Sequence, residues 1–204
     1  MLAFCLSDPL TCNNALKPRI SIPGSPDFKP PCHDGWTVIM RHENPGFSFR
    51  QSWSGYKNGF GDTLYDFWIG NALLVQLTKS KLFDLRLEIW TSDGQFYSSE
   101  YTKAKIENEL KHFSLSTQGH SGGLLNASLL TSGTNFSTYD VNNGFNCSQS
   151  HSDSGFWFTS TDCTTGSLTG DLKTNTYLLS ERGTKIYAKK VIMKIIPNKA
   201  NIGE

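Results

Sequence analysis

Gly35-Trp36-Thr37-Val38-Ile39-Met40-Arg41 opens the most informative run of this sequence. It continues through Phe47-x-Phe49 and Trp53-Ser54-Gly55-Tyr56-Lys57-Asn58-Gly59-Phe60-Gly61, and closes with Phe67-Trp68-Ile69-Gly70-Asn71. The first seven residues are rich in β-branched and aromatic side chains, which suit a half-buried strand. Pro45-Gly46 marks a turn. Residues 51–61 read as a short helix stopped by glycine, with Trp53 and Tyr56 three apart on one face. Residues 72–78 read as a second short helix. Trp36, Trp53, Trp68 and Trp90 are read as core.

On the C-terminal side, Leu85, Leu87 and Ile89 alternate with Arg86, Glu88 and Trp90. Asp93-Gly94 then supplies a hairpin turn, so residues 85–101 read as two antiparallel strands. Phe113-Ser114-Leu115-Ser116 reads as another strand. On the N-terminal side, Pro9, Pro18, Pro23, Pro26, Pro30 and Pro31 exclude a long helix, because proline lacks the amide donor and fixes its own φ. Arg19-Ile20-Ser21-Ile22 alternates and fits an edge strand. Residues 1–31 therefore form an arm, held to the domain through Cys32 by either Cys5 or Cys12.

The protein has 204 residues, enough for one sizeable core or one domain with an arm. Lys+Arg 19 against Asp+Glu 18 leaves no basic stripe, which argues against a nucleic-acid partner. No apolar run approaches the roughly 20 residues of a membrane span. The start, Met1-Leu2-Ala3-Phe4-Cys5-Leu6, is too short for a signal peptide and reads as a sequence missing its first segment. Cys5, Cys12, Cys32, Cys147 and Cys163 form no C-x-x-C pair, so a zinc site is not expected. Sequons at Asn126, Asn135 and Asn146 cluster beside the C-terminal cysteines. Together with the cysteine pair they point to secretion, where disulfides persist.

Residues 136–163 run from an oxygen-rich turn at Asp140-Val141-Asn142-Asn143-Gly144 to Cys147, then through a polar loop and Phe156-Trp157-Phe158 to Cys163. Joining the two cysteines closes a loop with little core of its own and contributes roughly 3 kcal/mol. Such a stapled loop, floored by aromatics, is either a binding site or a repair of poor packing.

The stretch from Gly35 to Asn71 resembles the fibrinogen C-terminal (fibrinogen-related) domain. That family includes the fibrinogen chains, ficolins, angiopoietins, tenascin tails and invertebrate lectin-like proteins. The hairpin at 85–101 and Val191-Ile192-Met193-Lys194-Ile195-Ile196-Pro197, similar to the family's closing strand, continue the match. The resemblance implies an α+β fold with a central twisted antiparallel sheet, few short helices and a loop-rich C-terminal subdomain. It places the domain at 32–198, between the arm and a tail at 199–204. It implies disulfides Cys147–Cys163 and Cys5–Cys32, with Cys12 left over. It implies a ligand surface at Phe156, Trp157, Phe158, Asp162, Cys163 and Thr164.

That surface departs from the family pattern. Thr164 stands where a histidine usually follows the second cysteine, and the tryptophans before the last strand are missing. Family calcium sites use carboxylates ahead of the first of these cysteines. Here Asp140 remains, Asn142 replaces the second, and the third falls at Gly144 or in a deletion. Calcium wants about six to eight hard oxygens. Asp140 and Asn142 therefore read as a vestigial metal turn, and no cofactor is expected.

Gly119-His120-Ser121-Gly122-Gly123 satisfies G-x-S-x-G, but the elbow needs a strand, a strained serine and a following helix within a βαβ setting. A serine hydrolase using Ser121 is thus a remote alternative. His33 and His42 are read as surface residues, and the five histidines show no metal-ligand spacing. The reading reached is a secreted, non-enzymatic recognition domain for glycan or protein ligands. The alternative is a structural or protein-partner extracellular module whose sugar and calcium sites have decayed. Any oligomerisation falls to a segment upstream of this sequence.

Overall fold

A computed structural model describes residues 20–22, 25–28, 30–79, 81–122, 127–142, 144–159, 163, 166–174, 176–179 and 184–198. The strands are β1 (Ile20–Ile22), β2 (Ser25–Phe28), β3 (Cys32–His33), β4 (Trp36–His42), β5 (Phe60–Gly61), β6 (Phe67–Trp68) and β7 (Phe83–Thr91). They continue with β8 (Phe96–Ile106), β9 (Leu115–Ser116), β10 (Gly119–Ser121), β11 (Gly166–Ser167), β12 (Tyr177–Leu179) and β13 (Lys185–Pro197). The helices are α1 (Trp53–Asn58), α2 (Asn71–Thr78) and α3 (Cys147–Ser150).

The main sheet runs β10-β8-β7-β13-β4-β6-β5, with β3 on β4, β9 on β8, and β12 carrying β11 on β13. Every ladder is antiparallel, so the long closing strand β13 sits between β7 and β4. Among the described residues the arm's strand β1 pairs with β2 alone, in a separate two-stranded sheet. Cys32 is disulfide-bonded, and its partner, expected to be Cys5, lies outside the described residues.

Alternation places the core. Leu85, Leu87 and Ile89 are buried, as are Val191, Met193 and Ile195 beside them. The turn at Asp93-Gly94 forms as expected, with Gly94 at φ 81°. Helix α1 begins where Ser52 accepts from the Gly55 amide at 3.3 Å and stops at Gly59, φ 88°. A Cβ on Gly59 would lie 2.8 Å from the Ile69 carbonyl oxygen, so only glycine fits there.

The sheet is topped by an aromatic cluster that joins distant segments. Tyr56, Trp68, Phe136 and Trp157 pack with ring centroids 5.0–6.2 Å apart. The Trp68 indole donates to the Tyr56 carbonyl at 3.0 Å, and the Trp157 indole to the Phe113 carbonyl at 2.8 Å. Both rings thus bury their apolar area with the N–H satisfied.

Several expectations need correction. His42 is 1% exposed, not a surface residue; its ring packs 4.2 Å from Phe49 under the Leu168 carbonyl. Of the four tryptophans expected in the core, Trp68 lies within it, Trp53 and Trp90 are half-buried and pack against its edge, and Trp36 is half-buried outside it. The strand expected at 113–116 is confined to Leu115–Ser116, because Phe113 turns left-handed at φ 46°.

Candidate functional site around the Cys147–Cys163 disulfide

The expected disulfide Cys147–Cys163 is present, spanning 5.1 Å between Cα atoms. Cys147 opens α3 and is fully buried, while Cys163 is half-buried. Between them the loop is a knot of buried hydroxyls rather than a solvated strand. Ser148 donates to the Ser154 carbonyl at 2.7 Å, and Ser154 to the His151 carbonyl at 2.7 Å. Thr169 donates to the Gly155 carbonyl at 2.8 Å, bringing the β11 turn against the loop. Buried hydroxyls that close on carbonyls rigidify a loop, since breaking any bond leaves a desolvated group.

Phe156, Trp157 and Phe158 are each 1% exposed. They form the floor of the site and offer no open ring to a ligand. His151, which carried no signal in the sequence, is also 1% exposed. It stacks on Phe158 at 5.2 Å and places Nε2 3.0 Å from the Cys163 carbonyl. That contact makes Nε2–H the donor. An imidazole from elsewhere in the loop thus reaches Cys163, although the family histidine is missing from the sequence. Tyr177 lies 5.6 Å beyond His151 and carries the stack to Tyr187 at the surface, 5.7 Å further. Asp162 and Thr164 lie outside the described residues. The only sequence clue to this ladder is its run of aromatic and histidine positions, which share no spacing.

The metal turn is closed by its own groups. Asp140 accepts from the Trp53 amide at 2.9 Å and from the Thr138 hydroxyl at 2.7 Å. The Asn142 side-chain oxygen accepts the Gly144 and Asn146 amides at 2.7 and 3.1 Å. Among the described residues no cluster of three or more His, Cys, Asp or Glu side chains converges for a metal. One carboxylate engaged as a helix cap and one engaged amide do not fit calcium's demand for several charged oxygens.

Of the sequons, Asn135 and Asn146 are exposed, and Asn126 lies outside the described residues. Asn146 is left-handed at φ 53°, and its side-chain oxygen receives a hydrogen bond from the Asn142 amide. Ser121 ends β10, paired with Glu100, and lacks the positive φ of a strained nucleophile. A cleft of about 310 Å³ opens beside the loop, between the Pro45–Arg50 turn and the turn at 169–172. Arg50 at its rim pairs with Asp153 at 2.9 Å.

The family model described as fibrinogen beta and gamma chains, C-terminal globular domain, matches residues 31–198. Angiopoietin-4 from Bos taurus is 37% identical over 128 residues, 61% of this chain and 26% of that protein. Angiopoietin-1 from Sus scrofa is 36% identical over 114 residues, 55% of this chain and 23% of that protein. The matched region thus spans about a quarter of the length of these relatives. Among solved structures, the fibrinogen-like globe domain of human ANGPTL6 superposes with a TM-score of 0.70 at 26% identity, covering 81% of this chain and 79% of that one. The corresponding human ANGPTL2 domain gives 0.68 at 27% identity, covering 81% and 82%.

Proposed function

The protein belongs to the family of globular domains found at the C-terminal ends of fibrinogen beta and gamma chains, and on that basis we propose that it is a secreted, non-enzymatic recognition domain. Its ligand, protein or glycan, docks on the surface around Cys163. The observation that carries this reading is the anchoring of Cys163: a disulfide on one side, and the His151 imidazole on its carbonyl at 3.0 Å. A backbone so fixed loses little entropy on binding. The disulfide and the exposed sequon at Asn135 agree with an oxidising, extracellular setting.

A second reading is favoured by the burial of Phe156, Trp157 and Phe158, so that none of these three rings is open to an acetylated sugar. On that reading the domain docks a protein, and its sugar and calcium sites have decayed. A glycan array with and without calcium, run beside a panel of cell-surface ectodomains, separates the two. Binding to neutral acetylated sugars supports the lectin-like form; ectodomain binding alone supports the protein-docking form. Absence of any ligand in both screens would leave only a structural role. A serine-directed covalent probe that labels the wild type and spares Ser121→Ala would overturn the non-enzymatic assignment.

A further inference from the structure

We propose that the first half of β13 is a docking surface for a sulfated polysaccharide, an inference that goes beyond the ligand at Cys163. The stretch reads Lys185-Ile186-Tyr187-Ala188-Lys189-Lys190, three lysines in six residues with a tyrosine between them. Lys185, Tyr187 and Lys189 are exposed, Tyr187 at 47%, while Ala188 is buried, so the strand's alternation sends the first three to one side. The ladder with β7 shifts between Ala188 and Lys190, leaving Lys189 as an extra residue.

The lysines rest on rings. Lys185 Nζ lies 4.3 Å from the Tyr177 centroid, and Lys190 Nζ 5.2 Å from that of Trp90. Trp90 in turn packs on Phe96, which is 48% exposed. Lys190 is paired with Glu43 at 2.7 Å, but Lys185 and Lys189 have no ion pair among the described residues. Of the acids on neighbouring turns, Asp171 accepts from the Lys173 amide at 2.7 Å and Asp93 from the Thr91 hydroxyl.

The chemistry selects the occupant. The described arginines are all committed elsewhere: Arg41 to loop carbonyls, Arg50 to Asp153, Arg86 to Glu88 and Glu100. What remain among the described residues of this strip are lysines, flexible point charges without the fork that fixes a carboxylate bidentately. They suit sulfates spaced along a polymer, and Lys185 and Lys189 stand about 13 Å apart along the strand. The tyrosine between them offers the flat, electron-rich face against which sugar C–H edges pack.

The test is binding of heparin oligosaccharides of defined length to the full-length protein across a range of NaCl. The wild type is expected to bind at about 150 mM NaCl with strong salt dependence, as counterion release requires. Lys185→Gln/Lys189→Gln should weaken binding roughly tenfold and flatten the salt slope by one to two counterions. Tyr187→Phe should bind as wild type and Tyr187→Ala more weakly. The charge-matched control Lys79→Gln/Lys103→Gln should be unchanged. No heparin binding at that salt, an equal loss in the control, or equal binding of fully desulfated heparin or poly-glutamate would each overturn the proposal. Folding of every variant is checked by unaltered melting.

Discussion

His42 and Asp140 show how single side chains take roles their positions in the sequence do not announce. His42 ends a strand and reads as solvated, yet the Leu168 turn, 126 residues away, covers it. Burial lowers its pKa below the ordinary 6.5, outweighing the Leu168 carbonyl and the charges of Asp66 and Asp171. A depressed pKa means the unfolded state binds more protons, so the neutral ring's contribution is intact above about pH 6.5 and is lost as pH falls below it. Unfolding free energy is therefore expected to drop between pH 7 and pH 5, by at most about 1.4 kcal/mol per pH unit for this group. His42→Phe should make that slope shallower while lowering stability overall; an unchanged slope in urea titrations would show the ring is not the sensor. Asp140, read as a relic of a metal site, instead receives the first amide of α1. Asp140→Ala is expected to cost about 1–2 kcal/mol, the usual range for a lost cap carboxylate, and Asp140→Asn less. Equal losses in EDTA and in calcium would confirm a capping role; a loss seen only in calcium would make it a ligand.

Among the strands and helices, what local chemistry decides was legible. The 85–101 hairpin follows from strict alternation and Asp-Gly, and α1 from a serine cap and a glycine stop. What non-local packing decides was not. Phe156-Trp157-Phe158 would alternate faces in a regular strand, but the segment makes only one isolated bridge, Ser137 to Phe156, so all three rings turn inward. Lys194 sits in β13 at a position that alternation assigns away from the main core, yet it is 1% exposed, with Nζ 2.6 Å from Glu88. His33 approaches the same nitrogen at 3.2 Å. Breaking a buried pair leaves an uncompensated charge, so Lys194→Met is expected to cost about 3–5 kcal/mol. Lys194→Met/Glu88→Leu should recover much of that loss, and chemical denaturation of the three proteins measures it. The C-terminal staple likewise acts on a whole segment. Its cysteines lie 16 residues apart, and Cys147→Ser/Cys163→Ser should lose roughly 3 kcal/mol by loop closure. A loss well under 1 kcal/mol would show that the buried serine and threonine hydroxyls hold the loop unaided.

Across the domain, the family frame and the C-terminal disulfide were readable because aromatic and glycine spacings are tied to packing. The proposed ligand surface was not, because exposed residues answer to a partner rather than to the fold. The same asymmetry governs calcium. A ligand that binds only the native state adds RT ln(1 + [L]/Kd) to its stability. With Asp140 spent on α1 and Asn142 on two backbone amides, few free donors remain in the turn. A dissociation constant at or above the millimolar range then follows, the weak end of biological calcium sites. At about 1 mM calcium the gain is roughly 0.4 kcal/mol or less. For a domain of this size that raises the melting temperature by about a degree or two. Thermal melts in EDTA and in millimolar calcium decide the point. A rise of many degrees would mean that the turn opens, surrenders the Gly144 and Asn146 amides and rebuilds a site from its carbonyls. That rise should then vanish in Asp140→Ala. A flat result leaves the ligand surface proposed around Cys163 to work without a metal, held by the disulfide and by His151.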